Sequence, residues 1–515
     1  MIYLSSFLLA FYLTVILVPL SSRLGNRFGA VDDPNTRKVH DYPIPKTGGI
    51  ALTIGILVPL WFWVPLDREF KAFLSGAAII FVFGLLDDLF HLDYKKKFLG
   101  QFLAVTLTMI MGKFSISTLG MWWSASEVLV PPWMGIPLTV LFLLGITNAI
   151  NLADGLDGLA GGICILIFSC LGLLAYDQNN TNIVLSSLII IGALLGFLRY
   201  NTFPATVFMG DTGSQLLGFS AGIFSLYLTQ DHNSPISRVL PVLILGFPIL
   251  DTLTVMAKRF IEGRPLFKAD KRHFHHLLLK FGASHVASVA CIYILQGIMV
   301  GLSIYFRYYP ESWAFMAYLI MVIPILLFFM FAARFGLSLG VIFGWGESLE
   351  QIIVTGKTGK NLVKWPLAAL RIGLPVGLTW LALSSSLLFQ KEWEWALFWV
   401  LGLLILLSSW LYKPAHPHLI RFSLYLLGFY LLFSTQGRTL AFLPLDTRTF
   451  NFIFWGSMAF FLAAYLLMSK FKDLEVSSLD YLLLLLVALV PALPLEVVQH
   501  YQLGMIAFAM VILLW

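Results

Sequence analysis

The residues able to do chemistry in this sequence gather in a few short stretches. The densest is Asn148-Ala149-Ile150-Asn151-Leu152-Ala153-Asp154-Gly155-Leu156-Asp157-Gly158. Its amides and acids recur every three residues, so one helical face would carry them, and the interspersed glycines permit close packing or a break. Packing alone explains such a concentration of amides and carboxylates poorly. Another stretch is Gly84-Leu85-Leu86-Asp87-Asp88, with Lys97 and Gln101 shortly after it. Adjacent carboxylates beside apolar helices are costly unless they face water, a cation or a donor. One of a like-charged pair also holds its proton more tightly, which suits metal binding or proton acceptance. An ordinary polar helix end would read similarly.

Asn201-Thr202-Phe203-Pro204 leads on to Phe208-Met209-Gly210-Asp211-Thr212-Gly213-Ser214. Asp211 reads either as a helix cap or as a ligand for Mg2+, a hard ion that takes one or two protein carboxylates and completes its shell with water and phosphate. Phe208 can stack on a flat base or pack in a core. Near the N-terminus, Asp32-Asp33-Pro34-Asn35-Thr36-Arg37-Lys38-Val39-His40 runs through Pro43, Pro45 and Lys46 to Gly48-Gly49. The prolines stiffen this loop and the glycines allow close backbone approach. Arg37, Lys38 and His40 can meet a phosphate, although a plain basic connector would look the same. The last stretch runs from Lys258 to His276 and ends in His273-Phe274-His275-His276. Three histidines among lysines and arginines, with no cysteine nearby, suit an anion better than zinc.

The elements that must position these groups are apolar helices. Of the 515 residues, 59% are hydrophobic and 12% charged, against about 45–50% and about 25% in soluble domains. That excludes a water-soluble enzyme, a disordered chain and a nucleic-acid binder. Cys164, Cys170 and Cys291 lie in apolar runs and form neither a metal spacing nor a disulfide framework. The expected fold is an all-α polytopic transmembrane bundle. Its candidate spans lie at about 2–22, 48–65, 69–89, 98–112, 136–150, 158–175, 183–199, 212–229, 238–257, 286–306 and 313–333. The first reads as a retained helix rather than a signal peptide.

Alternating these eleven spans puts sixteen Lys and Arg in one set of loops and five in the other. By the positive-inside rule the N-terminus is then outside. Every chemical cluster falls in the basic, cytoplasmic set. Residues 1–333 are therefore expected to form a membrane catalytic domain. A cytoplasmic linker at 334–364 and a further apolar region at 365–515, with about five or six spans, would follow. That region holds no chemical cluster. It can serve as an accessory domain, an oligomerisation surface (a homodimer, for instance) or a partner dock.

One membrane face thus collects acids able to hold Mg2+, cations able to grip phosphate, and an aromatic with amides able to hold a base. Phosphoryl transfer from a nucleotide diphosphate uses such parts, because its catalysis is mostly positioning and charge neutralisation. A transporter of an anionic solute is the alternative from another class, but its polar groups would sit near mid-membrane on broken helices.

Together, Arg37-Lys38-Val39-His40 with Gly48-Gly49, Asp87-Asp88, Asn148 to Gly158, Phe208 to Ser214 and His273 to His276 resemble the polyprenyl-phosphate N-acetylhexosamine-1-phosphate transferase superfamily. The likeness covers about residues 1–333, in order. It implies an all-helical membrane fold with a cytoplasmic active site in the bacterial inner membrane. It further implies Mg2+ (Mn2+ as a substitute) as cofactor, a UDP-sugar donor, undecaprenyl phosphate as lipid acceptor and UMP as product, in the first membrane step of cell-envelope polysaccharide synthesis. Position by position, it makes Asp211 and Asp154 metal-binding, and Asp87, Asp88, Asp154, His273, His275 and His276 catalytic. Asn148, Asn151, Asp157, Asn201, Phe208, Arg37, Lys38, His40 and Lys97 become substrate-binding, with Asp157 and Phe208 at the uracil. Attack by an aspartate and direct attack by the lipid phosphate are both open. The Arg-Lys-Val-His loop and the His-Phe-His-His form resemble the WecA/TagO branch more than the MraY branch. That favours N-acetylglucosamine over a muramyl-pentapeptide donor.

Overall fold

Long apolar runs broken by short polar loops give helices in almost every described segment of the computed structural model, which covers residues 2–32, 43–123, 126–231, 234–264 and 273–335. Helix α1 spans Ile2–Phe28 and is followed by two short antiparallel strands, β1 (Val31–Asp32) and β2 (Ile44–Pro45). Then come α2 (Gly48–Trp63), α3 (Arg68–Phe90), α4 (Tyr94–Gly112), α5 (Pro132–Ala153), α6 (Leu159–Asp177), α7 (Thr181–Asn201) and α8 (Gly210–Gln230). The chain continues through α9 (Leu240–Ile244), α10 (Gly246–Ile261), α11 (Phe274–Lys280), α12 (His285–Phe306) and α13 (Glu311–Phe335). Among the described residues, seven helices are long and apolar enough to cross a membrane: α1, α3, α5, α6, α7, α12 and α13. The protein is an all-α polytopic membrane protein. Arg37, Lys38, His40, residues 265–272 of the basic run before His273, nearly all of the expected linker and the C-terminal apolar region lie outside the described residues.

Burial sorts the helices. The most apolar stretch of α7 is 89% buried and that of α13 only 17%, so α7 is central and α13 peripheral. A helix that is apolar all round belongs in the interior. Helix α7 packs on α1, α2 and α6, and α8 packs on α2, α3 and α5. Small residues let α8 approach its neighbours closely. A Cβ on Gly49 would strike the backbone of Met209 and Gly213, and one on Gly84 would strike Thr212. Association between helices in lipid depends on such contacts, because apolar burial gives little drive there.

The ninth expected span is not continuous. Helix α9 stops at Ile244, about one turn before Pro248, and α10 restarts at Gly246. Gln296 of α12 occupies the break. Its Nε2 donates to Ile244 O at 2.7 Å, and its Oε1 accepts from Phe247 N at 3.1 Å. A side chain inserted in the ladder is a recognised cause of such a discontinuity, and it satisfies backbone groups that lipid cannot.

The helices run up and down, so the C-terminal ends of α1, α3, α5 and α7 share one end of the bundle with the N-terminal ends of α2, α4, α6 and α8. At the opposite end Gln230 Oε1 accepts from Ser117 N, and Glu311 Oε2 accepts from Met121 N.

Candidate active site

Those gathered helix ends surround a cleft of about 750 Å3, within the range of about 300–1,000 Å3 usual for small-molecule sites. Asp87, Asp88, Lys97, Asn151, Asp154, Asp157, Asn201, Phe208, Asp211 and His276 all line it. The structure therefore unites side chains from α3, α4, α5, α7, α8, α11 and the loops between them.

The adjacent acids differ. Asp88 is a clamp on the start of α8. Its Oδ1 accepts from Asp211 N at 2.8 Å, and its Oδ2 accepts from Thr212 N at 3.0 Å and from the Thr212 hydroxyl. A carboxylate at a helix N-terminus meets unpaired N–H groups and the positive end of the dipole. Gly210 makes the approach possible. It has φ +67°, and a side chain there would collide with the Asp88 carboxylate and Lys46 O. Asp87 instead pairs through Oδ2 with Lys97, while its Oδ1 is buried without a hydrogen-bond partner. Lys97 Nζ also lies 2.8 Å from Asp211 Oδ2. One ammonium thus bridges carboxylates from two helices.

Asn151 and Asp157 bound the next wall. The Ser214 hydroxyl donates to Asn151 Oδ1 at 2.7 Å. Asp157 Oδ2 accepts from Ala205 N at 2.9 Å, and its backbone N–H donates to His285 Nε2 at 3.2 Å. Asn201 ties the two loops together. Its Oδ1 accepts from Gly158 N at 3.0 Å and its Nδ2 donates to Val207 O at 2.9 Å. Phe208 is fixed by its backbone, donating to Pro45 O at 2.8 Å and accepting from Gly48 N at 3.0 Å. Burial, then the charges of Asp211, Asp157 and Asp88, pushes the Asp154 carboxyl up to about 7.

The three histidines have distinct surroundings. His276 lines the cleft. His275 is buried against Gly155; burial, then His276, His273 and His285, pushes its pKa down to about 3, so it is neutral at pH 7. His273 turns away, its Nδ1 2.9 Å from Asp251 Oδ2, while Asp251 Oδ1 accepts from Phe274 N at 2.7 Å and so starts α11. Asn148 likewise does not line the cleft; its amide donates to Gln101 Oε1 at 2.7 Å.

Several residues here carry no role in the sequence reading. Asp251, Gln215 and His285 are single polar residues beside or within apolar runs, and no motif announces them. His285 stacks on Phe203 with ring centroids 4.3 Å apart, and both line the cleft. His91 lines it too, held at the left-handed end of α3 with φ 52°. Lys46 pairs with Asp32 at 2.6 Å on the rim.

A polytopic helical membrane protein with an acidic, cation-bridged cleft at one end is the class that fold and site define. Residues 70–229 match the model of glycosyl transferase family 4. The chain is 40% identical over 295 residues to the probable undecaprenyl-phosphate N-acetylglucosaminyl 1-phosphate transferase of Bacillus subtilis (strain 168), covering 56% of this chain and 81% of that protein. It is 34% identical over 322 residues to the decaprenyl-phosphate N-acetylglucosaminephosphotransferase of Mycobacterium leprae, covering 57% and 80%. Against the undecaprenyl-phosphate alpha-N-acetylglucosaminyl 1-phosphate transferase of Escherichia coli K12 the identity is 28% over 331 residues, covering 62% and 88%. The chain belongs to glycosyl transferase family 4, among the polyprenyl-phosphate N-acetylglucosamine-1-phosphate transferases.

Proposed function

We propose that this protein transfers N-acetylglucosamine 1-phosphate from UDP-N-acetylglucosamine to undecaprenyl phosphate at the cytoplasmic face of a bacterial membrane, as the first membrane step of cell-envelope polysaccharide synthesis. The observation that carries the reading is the convergence of Asp87, Asp154, Asp157, Asp211, Lys97 and His276 on one cleft at the end of the bundle. The names of the relatives support the sugar phosphate and the polyprenyl acceptor.

In the proposed reaction an oxygen of the lipid phosphate attacks the phosphorus that bears the sugar. The bond from that phosphorus to the bridging oxygen breaks, and UMP leaves with the bridging oxygen and its electron pair. The lipid product is a pyrophosphate. Lys97 and His276 are placed to receive phosphate oxygens. Asp157 and Phe208 are assigned to the base and Asn151 to the nucleotide, while Asn201 keeps the walls of the base site in register. Asp88, with both oxygens engaged by α8, orients Asp211 rather than attacking.

The residues present fit Mg2+. Asp87 Oδ1 is a buried oxygen with no donor, and Lys97 already holds a positive charge between Asp87 and Asp211. Asp87 and Asp211 would hold the ion, with Asp154 at the same cleft. No cluster of three metal-ligating side chains occurs among the described residues, and Mg2+ needs none when phosphates and water complete its shell. Bound there, Mg2+ or Mn2+ supplies charge neutralisation for the pyrophosphate.

The test is release of UMP by the purified chain given UDP-N-acetylglucosamine, undecaprenyl phosphate and Mg2+. We expect turnover that stops with EDTA and falls at least about a hundredfold in Asp211→Asn. Turnover indifferent to both would refute the assignment of Asp211.

A further inference from the structure

A buried chain of side-chain amides leads into the Asp211 carboxylate from two other helices. Asn148 of α5 donates through Nδ2 to Gln101 Oε1 on α4 at 2.7 Å. Gln101 donates through Nε2 to Gln215 Oε1 on α8 at 3.1 Å. Gln215 donates through Nε2 to Asp211 Oδ2 at 3.2 Å. The far end is anchored, because Asn148 Nδ2 also donates to Leu144 O at 2.8 Å. Asn148 and Gln101 pair reciprocally, Gln101 Nε2 also donating to Asn148 Oδ1 at 3.4 Å, while Gln101 and Gln215 each accept from the amide before and donate to the group after, so their dipoles run toward Asp211 and strengthen the last donor.

Neither glutamine nor Asn148 lines the cleft, and each glutamine is 2% exposed. A buried amide is costly unless its bonds are made, and apolar side chains would fill the same space more cheaply. Asp211 Oδ2 also meets Lys97 Nζ at 2.8 Å, and a fully connected amide chain that ends on the same oxygen adds a second, fixed direction from the protein interior that a flexible lysine does not supply. We infer that Gln101 and Gln215 are positioning residues for Asp211, fixing the carboxylate that the proposed function gives to the divalent cation; the inference rests on that assignment.

The test uses the full chain in lipid nanodiscs, with Mn2+ as the probe and its binding read by electron paramagnetic resonance in the absence of substrates. UMP release is measured alongside. Gln215→Met keeps the length and removes the donor. We expect Mn2+ affinity to fall about tenfold, the scale seen when a partner of a ligating group is removed. Turnover should fall by a similar factor, with the KM for UDP-N-acetylglucosamine changed less than about twofold. Gln101→Met leaves the final bond and removes its anchor, so its effect should be smaller. The double variant should lose no more than Gln215→Met alone, because both act through one contact.

Wild-type Mn2+ affinity in a folded Gln215→Met protein would overturn the inference, as would losses that simply multiply in the double variant. Should Gln215→Met fail to fold, unchanged Mn2+ affinity in Gln101→Met overturns it instead. A wild-type protein that binds Mn2+ through Asp211 but releases no UMP defeats the proposed function and leaves the amide chain standing. One that releases UMP but binds no Mn2+ overturns the inference and leaves the proposed transfer standing.

Discussion

Asp87 and Asp88 are neighbours in the chain, yet their carboxylates meet opposite surroundings. Asp88 accepts from the first N–H groups of α8, whereas Asp87 pairs with Lys97, lies against the Asp211 carboxyl, and keeps Oδ1 buried without a hydrogen-bond donor. Asp88→Asn turns an amide NH2 toward donors, so it should lower stability by about 1–2 kcal/mol and remove most UMP release; melting temperature and turnover check both. An unchanged melting temperature would contradict the clamp. His275 gives a second test at this scale. Its folded-state pKa of about 3 lies below the ordinary 6.5, so the folded protein binds fewer protons. Its contribution to stability is complete above pH 6.5 and is lost progressively as pH falls toward 3. His275→Gln should therefore lose less of its melting temperature than wild type between pH 7 and pH 5. Parallel slopes would contradict this. The acids were legible in the sequence because carboxylates beside apolar runs have few cheap explanations. The separate duties of the three histidines were not, since they depend on Asp251 and Gly155, which approach only in the fold.

At the scale of elements, a helix stands at each of the eleven expected spans, but among the described residues only seven are long and apolar enough to cross a membrane, α2, α4, α8 and the α9–α10 pair falling short in length or apolarity. The break between α9 and α10 escapes a reading by run length, although Pro248, which has no N–H to give the Ile244 carbonyl, marks it in the sequence. Run length registers 238–257 as one stretch, while Gln296 takes over the backbone groups at the interruption. Gln296→Leu leaves Phe247 N–H and Ile244 C=O without partners, at a cost of about 1–3 kcal/mol for each buried group. A clear drop in melting temperature is expected, with the KM for the sugar nucleotide little changed; no drop would mean that the break supports itself. Asn148 shows the converse. It stands in the motif as if aimed at substrate, but its place in the helical repeat turns it to Gln101 of α4, at the far end of the amide chain that reaches Asp211.

For the whole molecule, Arg27 at the end of α1, Lys95 to Lys97 at the start of α4 and Arg199 at the end of α7 share an end with the cleft, as the proposed cytoplasmic site requires. Lys95 opens α4 at that end, and Glu127 lies in the loop that follows α4 at the other. With Cys291 replaced by serine, Glu127→Cys should react with a membrane-impermeant maleimide in intact cells, and Lys95→Cys only in inverted vesicles. The reverse pattern would turn the protein over. The central claim concerns which bond breaks, and a radiolabel reports it. UDP-N-acetylglucosamine carrying phosphorus-32 on the phosphate next to the sugar, given to the purified chain with undecaprenyl phosphate and Mg2+, should deliver its label to the lipid extract while unlabelled UMP stays in water. Label recovered in UDP would mean that the sugar moves without its phosphate, and would contradict the account.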